Sequence, residues 1–257
     1  MMPSYFFAHG APSLVIEEHG YTDFLKQFAK GTAKPKAIVL FSAHYENQVQ
    51  SIGAVADTYS TIYDFSGFPD QLYQMTYPAK GDAALSKQIQ SLFEVQGIPS
   101  RLDHERGLDH GSWAVLKLLY PDADIPVIAL SVNRSLTNEQ QYQIGRALAA
   151  LKEQDIMIIG SGGTVHNLRR IQWNASNPED WAVSFDHWLQ SKLETWDLEA
   201  LFNYREEAPY GTDAVPTTEH FIPLLLAMGS GDRSRKATRV YQNYQMGTLS
   251  LGCWQFE

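Results

Sequence analysis

The chain has 257 residues, of which 44% are hydrophobic and 12% aromatic, a composition typical of an ordered globular protein with a sizeable core. Its formal net charge of −9 argues against a surface for nucleic acid or for an anionic membrane, because both need clustered lysine and arginine. The single cysteine, Cys253, excludes an internal disulfide and a thiolate zinc site, and it is predicted to be a small buried side chain.

Two short apolar runs in the first part of the chain each lead into a histidine. Tyr5–Ala8 is predicted to be a strand that ends at His9, and helical periodicity follows over Tyr21–Lys30. Lys36–Ala43 is a continuous apolar run, which indicates a central strand buried on both faces and ending at His44.

The segment Asp57–Pro78 is aromatic, contains glycine and proline, and has little periodicity. These features predict a long ordered loop, and loops of that length in compact domains are often functional. A further strand is predicted before it, over Val49–Ala56. Two helices are predicted after it: Asp82–Gln96, and one that begins after Ser112 and closes over Leu116–Tyr120.

The second half of the chain continues the alternation of strands and helices. Strands are predicted over Pro126–Val132 and Ile156–Ile159, helices over Thr137–Glu153, Trp181–Leu193 and Glu219–Met228, and two strands within Thr238–Phe256. This order predicts an α/β fold, a single three-layer domain with a mostly parallel central sheet flanked by helices and an antiparallel edge.

No repeat, linker or low-complexity stretch divides the sequence, so residues 1–257 are expected to form one catalytic domain. The start of the chain lacks a cationic segment followed by an apolar stretch, and no apolar run reaches about 18 residues. We therefore expect a cytoplasmic protein without a signal peptide or a membrane span.

Five histidines stand at predicted junctions between regular elements and turns, and these are His9, His44, His110, His166 and His220. In open α/β sheets, ligands collect at the carboxyl ends of the strands. Imidazole is a common ligand for zinc and also suits iron and copper. The pattern therefore predicts a metalloenzyme whose ligands are scattered in sequence and gathered by the fold.

The histidines differ in how strongly their surroundings indicate a metal. His9 and His44 end two predicted strands, and pairing of these strands would bring the side chains within a few ångströms. His220 follows Glu219 at a predicted helix start, where it is either a third ligand or a histidine facing solvent. His166 follows a glycine-rich segment that allows close approach to a ligand or, alternatively, binds phosphate through its amides.

Asp109 and His110 have two interpretations as well. The carboxylate of Asp109 either orients the imidazole of His110 or caps a helix beside a surface histidine. Ser112 and Ser161 lie near histidines, but no nucleophile elbow of the Gly-x-Ser-x-Gly type supports a serine hydrolase. The remaining histidines, which have charged and polar neighbours, are expected in solvent, and they are His19, His104 and His187.

These segments are similar to the class III extradiol ring-cleaving dioxygenases, in the branch that resembles 4,5-DOPA extradiol dioxygenase. The resemblance extends over nearly the whole chain. It is carried by seven motifs: Ala8–Pro12, Ser42–His44, Asp64–Pro69, Gly107–Trp113, Tyr120–Pro126, Val165–Leu168 and Glu219–Leu224.

The resemblance implies one divalent metal, bound by His9, His44 and His220, with His166 beside it as acid/base or as a fourth ligand. It implies Fe(II) for dioxygenase activity or Zn(II), since three neutral imidazoles also suit catalytic zinc. Relatives that cleave protocatechuate use two histidines and a glutamate. Here His220 stands at the third position, with Glu219 next to it.

The same resemblance implies that His110 lines the substrate site and acts in catalysis, with Asp109 and Trp113 as further substrate-binding residues. The implied reaction is insertion of O₂ into a catechol-type aromatic such as DOPA, with no nucleic-acid or membrane partner. Two alternatives remain open from the residues. One is a zinc hydrolase that uses the same histidines. The other is a non-catalytic metal-binding interaction protein with the aromatic segment Tyr59–Tyr77 as its partner surface.

Overall fold

An eight-stranded sheet unites the two ends of the chain in the computed structural model, which describes residues 1–257. The strands are Ser4–Ala8 (β1), Ala37–Glu46 (β2), Gln50–Gly53 (β3), Ser100–Asp103 (β4), Val127–Val132 (β5), Ile156–Gly162 (β6), Ala237–Tyr241 (β7), Tyr244–Gln245 (β8), Leu249–Ser250 (β9) and Cys253–Phe256 (β10). Their order in the main sheet is β4-β3-β5-β2-β6-β1-β10-β7, and β8 and β9 form a separate hairpin.

The four central strands, β5, β2, β6 and β1, are parallel to one another, which confirms the predicted mostly parallel sheet. Antiparallel pairing occurs on both sides, where β10 pairs with β1 and β3 pairs with β5. Only residues 47–49 join β2 to β3, and this connection is too short for a parallel crossover. For this reason β3 runs in the opposite direction to β2.

Helices cover both faces of the sheet. They are Gly20–Gly31 (α1), Ala83–Val95 (α2), His110–Leu119 (α3), Asn138–Ala147 (α4), Asp180–Glu194 (α5), Leu198–Phe202 (α6), Tyr204–Glu207 (α7), Gly211–Ala214 (α8) and Ile222–Gly229 (α9). α1 and α3 pack together on one face, and α4 packs against α9 on the other. The sequence did not predict α6, α7 and α8, because helices of four or five residues show too little periodicity.

Successive side chains of β1 point to opposite faces of the sheet and pack against the helices on both sides. Tyr5 and Phe7 belong to the apolar cluster beneath α1 and α3, whereas Phe6 belongs to the cluster beneath α5 and α9. All three side chains are buried, and each buried aromatic contributes roughly 1.5–3 kcal/mol relative to an exposed one. A strand that serves two faces in this way has no polar side, which is why its sequence is apolar throughout.

Several predicted boundaries shift where they concern the histidines. β2 continues to Glu46, so His44 lies inside the strand and does not follow it. α3 begins at His110 itself, with Asp109 as the N-cap residue. α9 begins only at Ile222, because proline in its first turn favours that start. His220 therefore lies in the turn before the helix and not on it.

Other expectations were met in part. The helix predicted over Thr137–Glu153 divides into α4 and a 3₁₀ segment, Ala149–Gln154, and its predicted capping box at Thr137 is present. Cys253 is fully buried in β10, as predicted. None of the helices has the length and apolar character needed to span a bilayer.

The three histidines predicted to lie in solvent do not all do so. His104 and His187 are exposed. His19 instead caps the N-terminus of α1, where its ring accepts from the backbone N–H of Thr22 and contacts Glu17. Histidine is an uncommon cap, so the sequence carried little signal for this role.

Candidate metal and active site

The five histidines singled out in the sequence lie together at one edge of the sheet. The ring of His9 is 4.8 Å from that of His44 and 5.1 Å from that of His220, measured between centroids. The rings of His44 and His110 are 4.0 Å apart. His166 stacks on His220 at 3.6 Å, with the two planes 9° apart.

His9 and His44 converge for a different reason from the one expected. The strands that precede and carry them, β1 and β2, do not pair, because β6 lies between them. Both strands point the same way, so their carboxyl ends still meet at one edge. The expected proximity of the side chains is therefore present, although the expected pairing of their strands is wrong.

Ser161 of β6 fixes the protonation of His9. Its Oγ lies 3.1 Å from Nδ1 of His9, and its hydroxyl donates to the carbonyl of Gly111. Because the hydroxyl hydrogen is used on that carbonyl, Oγ accepts from His9, which must carry its hydrogen on Nδ1. The Nε2 of His9 is left with a free lone pair. The sequence had raised Ser161 only as a possible hydrolase residue.

The Nε2 atoms of His44 and His220 are two further candidate ligand atoms. Nε2 of His44 lies 3.1 Å from Nε2 of His9. Nδ1 of His220 is 3.2 Å from a carboxylate oxygen of Glu219, whereas its Nε2 is buried and has no hydrogen-bond partner. A buried polar atom without a partner costs roughly 1–3 kcal/mol, which favours a ligand at that nitrogen.

His110 is held by a residue that the sequence placed in a motif of the resemblance without giving it a role. Asp64, in the long loop, has one carboxylate oxygen 2.9 Å from Nδ1 of His110 and accepts from the backbone N–H of His110 at 2.9 Å with the other. The prediction that Asp109 orients this ring is wrong. Asp109 is buried and accepts from Ser42, from the backbone of Ser112 and from Arg106, so it caps α3 and ties it to β2.

The ring nitrogens of these histidines suit a divalent metal ion that binds imidazole ligands. His9, His44 and His220 each turn Nδ1 toward a serine or a carboxylate, which leaves Nε2 of each for a metal, the usual arrangement of metal-binding histidines. The ligand atoms of His9, His44 and His110 also lie within 4.8 Å of one another. Two histidines, His220 and His110, thus compete for the third ligand position.

Burial keeps several of these rings neutral. Desolvation, reinforced by the neighbouring histidines, lowers the pKa of His9 well below its ordinary value. Burial and the nearby rings lower the pKa of His44 to about 2, and burial and His220 lower that of His166 to about 3. A neutral imidazole is the form that binds metal, so the site is prepared to receive one.

The pKa values of the carboxylates behind the rings are lowered as well, but by hydrogen bonds and not by burial. Burial by itself raises the pKa of Asp64, but hydrogen bonds from His110 outweigh burial and lower the pKa to about 2. Burial likewise opposes ionisation of Glu219, and hydrogen bonds from His220 and Thr217 hold its pKa well below the ordinary value. Both groups are therefore acceptors only, which requires a hydrogen on each imidazole nitrogen that faces them.

The neutral histidines predict a loss of stability in mild acid for the metal-free protein. Below about pH 6.5 the unfolded chain protonates these residues, whereas the folded chain does not. The unfolding free energy should therefore fall as the pH decreases from 7.5 to 5.5, by up to about 1.4 kcal/mol per pH unit for each of His9, His44 and His166. Urea unfolding at the two pH values measures the change.

The exposed His187 provides the control for this experiment. We expect His187→Gln to keep the full pH dependence and His9→Gln to reduce it. An unfolding free energy that is equal at pH 7.5 and 5.5 would contradict the assignment of neutral rings.

The glycine-rich segment before His166 serves packing and not phosphate. Gly160 and Gly162 belong to β6, and a Cβ on Gly162 would lie 2.1 Å from the carbonyl oxygen of His220. A Cβ on Gly160 would meet the carbonyl of Pro223 at the same distance. The missing side chains let the turn before α9 lie directly on β6, which sets the position of His220.

Trp113 lies behind the site. Its side chain is fully buried, and its indole N–H donates to the carbonyl of Ile62 at 3.1 Å. Phe65 stands between it and the histidines, 6.2 Å from Trp113 and edge-on to His110 at 5.9 Å. Contact of Trp113 with a substrate therefore stays a prediction, and Phe65 is the aromatic residue nearest to the rings on this side.

Comparisons with known proteins agree with this geometry. Residues 7–253 match the family described as the catalytic LigB subunit of aromatic ring-opening dioxygenase. A protein of Escherichia coli strain K12 named 4,5-DOPA dioxygenase extradiol is 40% identical over 256 residues, covering 97% of this chain and 93% of that protein. One of the same name from Beta vulgaris is 39% identical over 257 residues, covering 98% and 96%.

A solved structure extends the comparison to the fold. The crystal structure of an uncharacterized protein from Escherichia coli K12 matches this chain with a TM-score of 0.86 and 36% sequence identity, covering 100% of both chains. The family match and the full-length relatives favour the dioxygenase over the zinc hydrolase and the non-catalytic protein. The chain belongs to the LigB family of aromatic ring-opening dioxygenases, and it is an extradiol ring-cleaving enzyme.

Proposed function

We propose that residues 1–257 form one catalytic domain that opens the ring of a catechol such as DOPA, with Fe(II) bound by His9, His44 and His220. The observation that carries the proposal is that Nδ1 of each ring faces Ser161, Asp64 or Glu219, while Nε2 of His9 lies 3.1 Å from Nε2 of His44 and Nε2 of His220 is buried without a partner. When bound, Fe(II) supplies the redox and Lewis-acid chemistry that insertion of O₂ requires.

His220 is preferred to His110 as the third ligand. Its Nε2 is buried without a partner, and a metal would satisfy that atom. His110 is held by Asp64 on the side of the aromatic loop, next to Phe65. That position suits a residue that contacts the substrate, and His110 is proposed to hydrogen-bond the oxygens of the bound catechol.

His166 is the proposed acid and base. Its ring is partly exposed beside His220, and its lowered pKa leaves it neutral and able to accept a proton from a catechol hydroxyl. A catecholate brings negative charge, which raises the pKa of a nearby histidine and stabilises the proton on it. The same proton is then available to the product as the ring opens.

Oxygen consumption tests the proposed reaction. Protein loaded with Fe(II) without air is mixed with DOPA or another catechol in aerated buffer, and oxygen uptake and the yellow semialdehyde absorbance are followed together. We expect one O₂ consumed for each ring opened, with no reaction in protein loaded with Zn(II). Turnover without oxygen uptake, or no turnover of any catechol with the Fe(II) site full, would contradict it.

A further inference from the structure

Asp64 is the carboxylate of the long loop between β3 and α2 that reaches the histidines. Oδ2 lies 2.9 Å from Nδ1 of His110 and 3.4 Å from Nδ1 of His44, and Oδ1 accepts from the backbone N–H of His110 at 2.9 Å. One side chain thus joins two rings carried by different elements, β2 and α3. Its side chain is 23% exposed, so it lies at the border between the site and solvent.

The loop is attached to the rest of the site on both sides of Asp64. Before it, the backbone N–H of Ile62 donates to the carbonyl of Leu108 at 2.8 Å, and the carbonyl of Ile62 accepts from Trp113. After it, the ring of Phe65 packs between His110 and Trp113. The position of the carboxylate is therefore set by the backbone and by packing, which makes it suitable for orienting other groups.

A hydrogen on one nitrogen of a neutral imidazole leaves a lone pair on the other. Because a carboxylate only accepts, His110 and His44 satisfy Asp64 when each carries its hydrogen on Nδ1. His44 could instead carry its hydrogen on Nε2, because that nitrogen lies 3.1 Å from Nε2 of His9, which has a free lone pair to accept it. In the absence of Asp64, donation from Nε2 of His44 to His9 would be favoured, and the metal-binding lone pair would be lost.

We propose that Asp64 is the positioning residue of this centre, which fixes the orientation and the tautomer of His44 and His110 so that Nε2 of each faces the metal and the substrate. The effect on metal binding rests on the proposed function, because it requires His44 to be a ligand. The effect on the tautomer of His110 does not depend on that function, and it is measured in protein without metal.

Asp64→Asn tests the proposal with almost no change in size. The amide keeps one acceptor, which the backbone N–H of His110 uses, and its NH₂ group then faces the two Nδ1 atoms. Both imidazoles must move their hydrogen to Nε2 to accept from that group. We expect nitrogen NMR of isotopically labelled, metal-free protein to show His110 protonated on Nδ1 in the wild type and on Nε2 in the variant.

Metal affinity gives the second measurement. Loss of a partner behind a metal-binding histidine weakens binding about 10–100-fold, and we expect a loss of that size for Fe(II) in Asp64→Asn, measured by competition with a chromogenic chelator. Asp70→Asn is the matched control, because Asp70 is an exposed acid of the same loop. Asp64→Glu restores an acceptor and should recover the Nδ1 tautomer of His110.

The outcomes separate the two parts of the proposal. An unchanged tautomer of His110 in Asp64→Asn would overturn the positioning role. A changed tautomer with metal affinity equal to that of Asp70→Asn would keep the hold on His110 and overturn the effect of Asp64 on the metal-binding nitrogen of His44. Should the asparagine variant fail to fold, Asp64→Ala also removes the carboxylate, and we expect it to lose the Nδ1 preference of His110 and to bind Fe(II) more weakly than Asp70→Asn.

Discussion

Replacing His9 with alanine will remove the metal from the protein and abolish ring opening. His9 is 1% exposed and stands at the centre of the cluster, with the rings of His44, His110 and His220 at 4.8, 5.4 and 5.1 Å. It is a candidate ligand whichever of His110 and His220 completes the set. The loss in affinity should therefore exceed the roughly 10–100-fold that follows removal of a partner behind a ligand.

Metal analysis after dialysis against a chelator measures this effect, and activity is followed in the same samples. His187→Ala is the control, because it removes an exposed histidine of α5 and should retain metal and turnover. His9→Gln preserves more of the buried volume and separates loss of a ligand from loss of packing. Full metal occupancy in both His9 variants would contradict the proposed site.

Replacing His166 with alanine will lower turnover by roughly 10²–10⁴-fold while the metal remains bound, the usual contribution of a general acid or base. The imidazole of His166 stacks on His220 without sharing its partner Glu219, so its removal leaves the three proposed ligands and their hydrogen-bond partners in place. Steady-state rates and metal content, determined on the same preparation across a pH range, provide the measurement.

The pH profile distinguishes the possible roles of His166. An acid/base residue should give a dependence of turnover on pH that disappears in His166→Ala, with metal content equal to that of the wild type. Parallel loss of metal and activity would instead make His166 a fourth ligand. A variant with full metal and wild-type turnover would show that the proton moves through another group.

Much of the fold could be predicted because its signals are local. The run Lys36–Ala43 has no polar side, and that property is enough to indicate a strand buried on both faces. The edge strand Ser100–Asp103 was missed because its four residues are partly exposed and include two charged side chains. No pattern of apolar residues marks such a strand, and its position depends on pairing with Gln50–Gly53.

In the site too, local signals could be read from the sequence and long-range contacts could not. The five histidines were found because the sequence predicts a junction between an element and a turn at each of them, although His44 lies inside β2. Glu219 stood next to its partner His220, but two other partners were not found, because Ser161 is 152 residues from His9 and Asp64 is 46 residues from His110. Such contacts are made by the topology, above all by β6 between β1 and β2, and nothing near either residue in the sequence indicates them.

The place of β1 in the sheet makes the centre depend on residues that are far apart in the sequence. His9, which follows β1, contacts Ser161 of β6, 152 residues away, and lies beside His220 in the turn before α9. His9 thus gains its surroundings only when β6 and that turn have joined β1 and β2 at one edge of the sheet. No short segment can assemble the centre by itself, so a metal ion can stabilise only the folded domain, and a fragment that ends before β6 should have little affinity for it.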